Sequence, residues 1–214
     1  MIKMKKRILR YDILKELFNI SVGKAASMLS EITNKRIFLD VPNVEILNLE
    51  NKNLRLEDYF PMIINGTLMI SSIAFEKKLT GKANLIFPAK KMKKFVDICY
   101  GQYEDNNIYG EDFTNVDFDI IKEIGNIILN SIIGEVGNHL DIKLDYTLPE
   151  VKVFNTIDFR RDIKYKQYKN VLILYITFVI DEIEIEGAVI IDLTLQSLKE
   201  LMKKIDSIED ELYG

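Results

Sequence analysis

The chain has 214 residues, 48% of them hydrophobic, with 29 basic against 33 acidic side chains and a formal charge of −4. That composition supports one large domain or two small ones and excludes a disordered tail, and so small a net charge excludes a global field for gathering nucleic acid or anionic membrane. Cys99 is the only cysteine, which excludes an internal disulfide and fits a reducing, cytoplasmic setting.

In chain order, Met1 to Arg7 is basic but runs into a charged helical pattern and not into an apolar signal core. From Asp12, Asp-Ile-Leu-Lys-Glu-Leu-Phe-Asn leads through Ala25, Ala26, Met28 and Leu29 with helical apolar spacing, predicting a long helix that ends near Asn34. Arg36 to Leu49 has strand character, interrupted by Pro42. Thr67 to Phe87 reads as a β-rich hairpin turning at Glu76-Lys77-Lys78, and Ala89 to Cys99 as a short amphipathic helix. Its run Lys90-Lys91-Met92-Lys93-Lys94 lacks interleaved aromatics and reads as a solvated helix face, not a nucleic-acid patch. Gly101 to Asp117 is acidic and Asn-rich, the composition of a linker.

The same order then repeats. A second helix runs from Asp119 to about Leu140, with His139 near its C-terminal end. A strand-like segment covers Ile142 to Phe154 with Pro149 inside it, a hairpin covers Val171 to Asp192 with its turn at Asp181-Glu182, and a helix covers Leu195 to Lys204. Proline in a strand implies a sheet edge, a strand start or a bulge. No apolar run approaches the ~20 residues of a membrane-spanning helix. The predicted fold is therefore α+β and layered: pseudo-two-fold duplicated α-β-β-β-α halves sharing one mostly antiparallel sheet flanked by long helices. It is expected as a single domain over 1–214, with repeats at about 8–101 and about 117–208 and a linker at about 102–116.

The two halves share a constellation, Asp-x3-Glu-x2-Asn-x22-Pro, as Asp12, Glu16, Asn19 and Pro42 and again as Asp119, Glu123, Asn126 and Pro149, 107 positions on. With this chain's residue usage a chance match is on the order of one in 10⁵ per starting position. At about 100° per residue, positions i, i+4 and i+7 fall within about 60° of one another, so each acid–acid–amide set forms one stripe along its helix. Leu14, Leu17, Phe18, Ala25, Met28 and Leu29 fall opposite the first stripe, and Ile121, Ile124, Ile128, Ile132 and Val136 opposite the second. Gly23, Ser27 and Ser30 continue the first stripe, and Asn130 and Gly137 the second, small residues that leave room for a partner. Acids favoured by a helix dipole account for either helix alone, but not for recurrence of the same set with an equally spaced proline.

The constellation resembles the signature of the CheC, CheX and FliY family of response-regulator phosphatases, with Lys122-Glu-Ile-Gly-Asn126 as its most recognisable core. Two motif copies and this length resemble the CheC type; CheX-like members carry one copy, and FliY-like members append a flagellar-switch domain that is not expected here. The resemblance implies hydrolysis of the aspartyl phosphate of a CheY-type receiver. Asn19 and Asn126 would hold the attacking water, and Glu16 and Glu123 would pair with the receiver's lysine. Asp12 and Asp119 would contribute to docking or to the helix start, and Pro42 and Pro149 would shape the neighbouring strands. No cofactor or metal of its own is implied; Mg²⁺ is expected in the receiver. A CheD-type deamidase is a candidate partner, and the competing reading is a non-catalytic adaptor that binds the receiver or CheD. Without a Cys–His or Ser–His–Asp set, a covalent phosphoenzyme on this chain is not expected. The family pattern has Gly before the Asn and again two residues after it; here Phe18 and Ser21 replace both in the first helix, whereas the second keeps Gly125 but has Ile128. Unequal sites are therefore expected, with Asn126 the stronger.

Overall fold

The computed structural model describes residues 2–50, 59, 66–99, 113–139, 141–155, 157–159, 161 and 169–213. Its elements are α1 (Ile2–Thr33), β1 (Ile37–Asn48), β2 (Thr67–Glu76), β3 (Gly81–Pro88), α2 (Ala89–Cys99), α3 (Asn115–His139), β4 (Asp145–Tyr146), β5 (Glu150–Asn155), β6 (Asn170–Ile180), β7 (Ile183–Leu193) and α4 (Leu195–Tyr213).

The strands form one seven-stranded sheet in the order β1-β6-β7-β3-β2-β4, with β5 also pairing β2. All its pairings are antiparallel. The order is symmetric about the central β7–β3 pair: β1 crosses to the β6–β7 hairpin, while β4 and β5 cross to the β2–β3 hairpin. Each half therefore completes the other's sheet, and the mixed α+β fold is the duplicated arrangement expected from the repeat.

Side chains alternate across the sheet with the strand period of two. On β6, Leu172, Leu174, Ile176 and Phe178 join the main core with residues of α1, α2, α3 and α4. Val171 and Ile173 point to the other face, where Leu68, Ile70, Ile86, Ala188 and Ile190 cluster under Phe159. Burial on both faces is why the central strands read as nearly continuous apolar runs.

Several boundaries differ from the sequence-based expectation. α1 begins ten residues before Asp12, held at Arg10 by ion pairs to Asp206 and Glu209 of α4. α4 runs nine residues beyond Lys204 because Leu201 and Ile205 are buried and Ile208 continues the same apolar spacing. α3 starts at Asn115, where Thr114 and Asp117 form a reciprocal cap: Asp117 N–H donates to Thr114 Oγ1 (3.2 Å) and Thr114 N–H to Asp117 Oδ2 (2.7 Å). The expected linker thus ends at a capping signal present in the sequence, and its residues 101–112 lie outside the described residues. The predicted strand Ile142–Phe154 is two strands, parted at 147–149. Both long helices are followed by a left-handed residue at equivalent positions, Asn34 (φ 51°) and Asp141 (φ 53°).

Candidate functional site

α1 and α3 pack against one another on the same face of the sheet. Leu14, Phe18 and Leu29 of α1 and Ile128, Leu129 and Ile132 of α3 are fully buried, which fixes the rotation of both helices. Burial of each such side chain contributes ~1.5–3 kcal/mol. That rotation leaves Asp12, Glu16, Asp119 and Glu123 exposed and Asn19 and Asn126 half-buried. Among the described residues none of the four carboxylates has an ion pair. Two stripes of free acid with an amide at the end of each therefore face solvent.

Two placements depart from the helical projection. Met28, expected inward, is 48% exposed. Gly137, expected on the outer stripe, is buried where α3 meets the chain that follows it, and Ile142 N–H donates to its carbonyl at 2.9 Å. Gly125 is also buried: a Cβ there would overlap the Cβ and hydroxyl of Ser71 on β2. Its role is close approach of helix to sheet, not access to Asn126. Phe18, at the corresponding place on α1, is wholly accommodated in the core. Both long helices carry drift over many turns, and packing against a twisted sheet decides which edge of the stripe is covered.

The spacing from Asn to Pro has a physical basis on α1. β1 pairs with β6 but shifts register between Asp40 and Asn43, at the proline. Pro42 has no N–H, and the bulge takes Val41 out of the ladder. Asn19 takes the place of the missing strand partner. Val41 N–H donates to Asn19 Oδ1 (2.7 Å), and Asn19 Nδ2 donates to Val41 O (3.3 Å). Pro42 is therefore both on an edge strand and at a bulge, and Pro149 stands immediately before β5.

The second copy, with the same spacing, is built differently. At the break between β4 and β5 it is Thr147 that serves β2: its N–H donates to Ala74 O (3.0 Å) and its Oγ1 accepts from Ala74 N–H (2.9 Å). Leu148, the counterpart of the buried Val41, is 83% exposed. Asn126 makes no bond to that segment. Its Oδ1 instead accepts from Asn130 Nδ2 at 2.7 Å, one turn along α3. Neither the amide clasp on Val41 nor the Asn126–Asn130 pair was read from the sequence; the signal for the first was the fixed Asn–Pro spacing.

Between the stripes, Lys24 Nζ meets Glu135 Oε2 at 2.6 Å, joining α1 to α3. The Lys24 hydrogen bond and charge hold the Glu135 carboxyl below its usual range. His139 Nε2 lies 3.5 Å from Glu135 Oε1. Cys99, on α2, has its thiol pushed up to about 11 by burial, so it is protonated and a poor nucleophile at neutral pH. What the two stripes offer is charge for a cationic partner and amides able to orient water.

In fold and motif the chain resembles the CheC/CheX/FliY family. Within that family the resemblance is to the CheC type. The CheC-like family model matches residues 11–46, the segment from the first acid stripe through the bulged strand. The chain is 28% identical over 145 residues to the CheY-P phosphatase CheC of Bacillus subtilis (strain 168); the match spans 66% of this chain and 65% of that protein. Thermotoga maritima FliY has the same fold at TM-score 0.71 and 19% identity, over 92% of this chain and 96% of its own. The FliM middle domain from H. pylori is similar in fold at TM-score 0.61 and 8% identity, over 91% of this chain and 97% of its own. None of the described helices is long and apolar enough to cross a membrane.

Proposed function

We propose that this chain accelerates hydrolysis of the aspartyl phosphate on a CheY-type receiver domain, and so acts in chemotaxis signalling. The observation that carries the reading is the pair of solvent-facing stripes, each with carboxylates that have no ion pair among the described residues and an amide anchored by the β1 bulge or by its own helix. The similarity to a protein named as a CheY-P phosphatase supports the same reading.

A helix-borne amide has both an acceptor and donors, so it can orient a water in line with a phosphoryl group while donating to a phosphoryl oxygen. Catalysis then rests on positioning and on the receiver's own groups, with Mg²⁺ held in the receiver's acidic pocket. Glu16 and Glu123 supply the charge that pairs with the receiver's lysine, and Asp12 and Asp119 extend the docking stripe by a turn. Asn126 carries the turnover in this scheme, because both N–H groups of its Nδ2 are without a partner among the described residues. Asn19 spends an acceptor position and a donor on Val41. That commitment favours a second reading for the first site alone: it docks the receiver without hydrolysing it.

The test is phosphate release from a phosphorylated CheY-type receiver with and without the chain. Acceleration that disappears in Asn19→Ala combined with Asn126→Ala supports the phosphatase. Stoichiometric binding with no acceleration by the native chain would replace it with the adaptor.

A further inference from the structure

We infer that Asn130 is a positioning residue for Asn126, an inference that rests on the phosphatase reading. Asn130 Nδ2 donates to Asn126 Oδ1 at 2.7 Å. The other end of its amide, Oδ1, is closed off from solvent and has no hydrogen-bond partner among the described residues. A polar group enclosed without a partner is costly, and buried amides are ordinarily satisfied at both ends. An i,i+4 amide pair is only weak support for a helix, so helix stability does not account for an arrangement that strands a carbonyl. Among the described residues, Asn130 thus commits its side-chain hydrogen bond to fixing the amide of its neighbour.

The equivalent position on α1 is Gly23, where no side chain is available and the space beyond is open. Asn19 consequently turns to the β1 bulge. On α3 the amide plane of Asn126 is set from its own helix, leaving one lone pair of Oδ1 and both N–H donors of Nδ2 for a water and a phosphoryl oxygen. An amide of undetermined rotamer would have to be ordered in each encounter with the receiver, whereas one held in place acts at once.

The experiment uses the full chain with Asn19→Ala, so that turnover of a CheY-type receiver charged from a small phosphodonor reports the second site. Adding Asn130→Ala is expected to lower kcat about tenfold with KM within twofold. The melting temperature should stay level or rise, because an enclosed unpartnered carbonyl is removed and Ala favours a helix. A general structural lesion would instead lower both. Asn130→Asp, which keeps the shape but cannot donate at neutral pH, should lose kcat to a similar degree. Neither change should matter once Asn126→Ala is present. Full kcat in Asn130→Ala or Asn130→Asp, with Asn126→Ala inactive, overturns the inference and leaves the phosphatase reading standing. Full kcat in Asn126→Ala as well overturns both.

Discussion

Asn19→Ala is expected to destabilise the chain where Asn126→Ala does not, although the two residues occupy matching places in a repeated motif. The clasp consists of two hydrogen bonds, Val41 N–H to Oδ1 at 2.7 Å and Nδ2 to Val41 O at 3.3 Å, made to a residue with no solvent exposure. Truncation leaves a buried donor and a buried acceptor in a bulge that offers no replacement strand. A buried group left unsatisfied costs ~1–3 kcal/mol, and the longer bond contributes at the low end of ~0.5–1.5 kcal/mol, so the loss should be about 2–3 kcal/mol. For a chain of this size 1 kcal/mol moves Tm by ~2–4 °C, which gives a fall of roughly 4–12 °C. Asn126 is held by Asn130 on its own helix, a part-buried i,i+4 pair that contributes ~0.2–0.5 kcal/mol, so its truncation should cost less. Urea denaturation and thermal melts of the native chain and the two variants measure the difference directly. Asn19→Asp keeps the acceptor for Val41 N–H but loses the donor to Val41 O, so it should fall between. Equal melting temperatures for Asn19→Ala and Asn126→Ala would refute the clasp as the basis of the Asn–Pro spacing.

Per folded molecule, Asn126→Ala should cost ~10²-fold in receiver dephosphorylation and Asn19→Ala much less; a larger loss in Asn19→Ala, measured by phosphate release, would reverse the assignment of the working site. Glu16→Gln and Glu123→Gln should weaken receiver binding more than the corresponding changes to Asp, with affinity that falls as salt is raised; salt-independent binding in a titration counts against charge pairing. Gly125→Ala should cost ~1–3 kcal/mol by forcing α3 off β2, and Ser71→Gly should recover part of it; additive losses in denaturation would show that the two residues do not share the contact. The Glu135 carboxyl is held below its usual 4.5 by Lys24, so its contribution to stability is present above that value and lost as the pH falls through the lower folded value. Glu135→Gln should flatten that acid limb in Tm measured against pH, and an unchanged limb would argue that the pair contributes nothing.

The repeat, the strand content and the acid–amide stripes were all legible in the order of residues, because each rests on short-range geometry. A helix projects i, i+4 and i+7 to one side whatever it packs on, and a strand alternates with a period of two. Proline's missing N–H was enough to predict an edge, a start or a bulge, and Pro42 and Pro149 stand at such places. The helix ends were less legible. The cap at Thr114–Asp117 was written in the sequence, but the ion pair of Arg10 in the first part of α1 is made to α4, nearly two hundred residues away.

What only the tertiary structure decided is how the two motif amides are held. From the motif alone Phe18 and Gly125 suggested unequal sites, yet Phe18 is simply buried and Gly125 serves the contact with Ser71. The difference arises where each helix faces its crossing strand. Val41 lies within reach of Asn19, whereas the chain at Leu148 turns outward and leaves Asn126 to Asn130. Identical local spacing cannot choose between those outcomes, because the choice depends on how far a strand from elsewhere in the chain is displaced at a bulge, and hydrogen bonds discriminate displacements of less than an ångström.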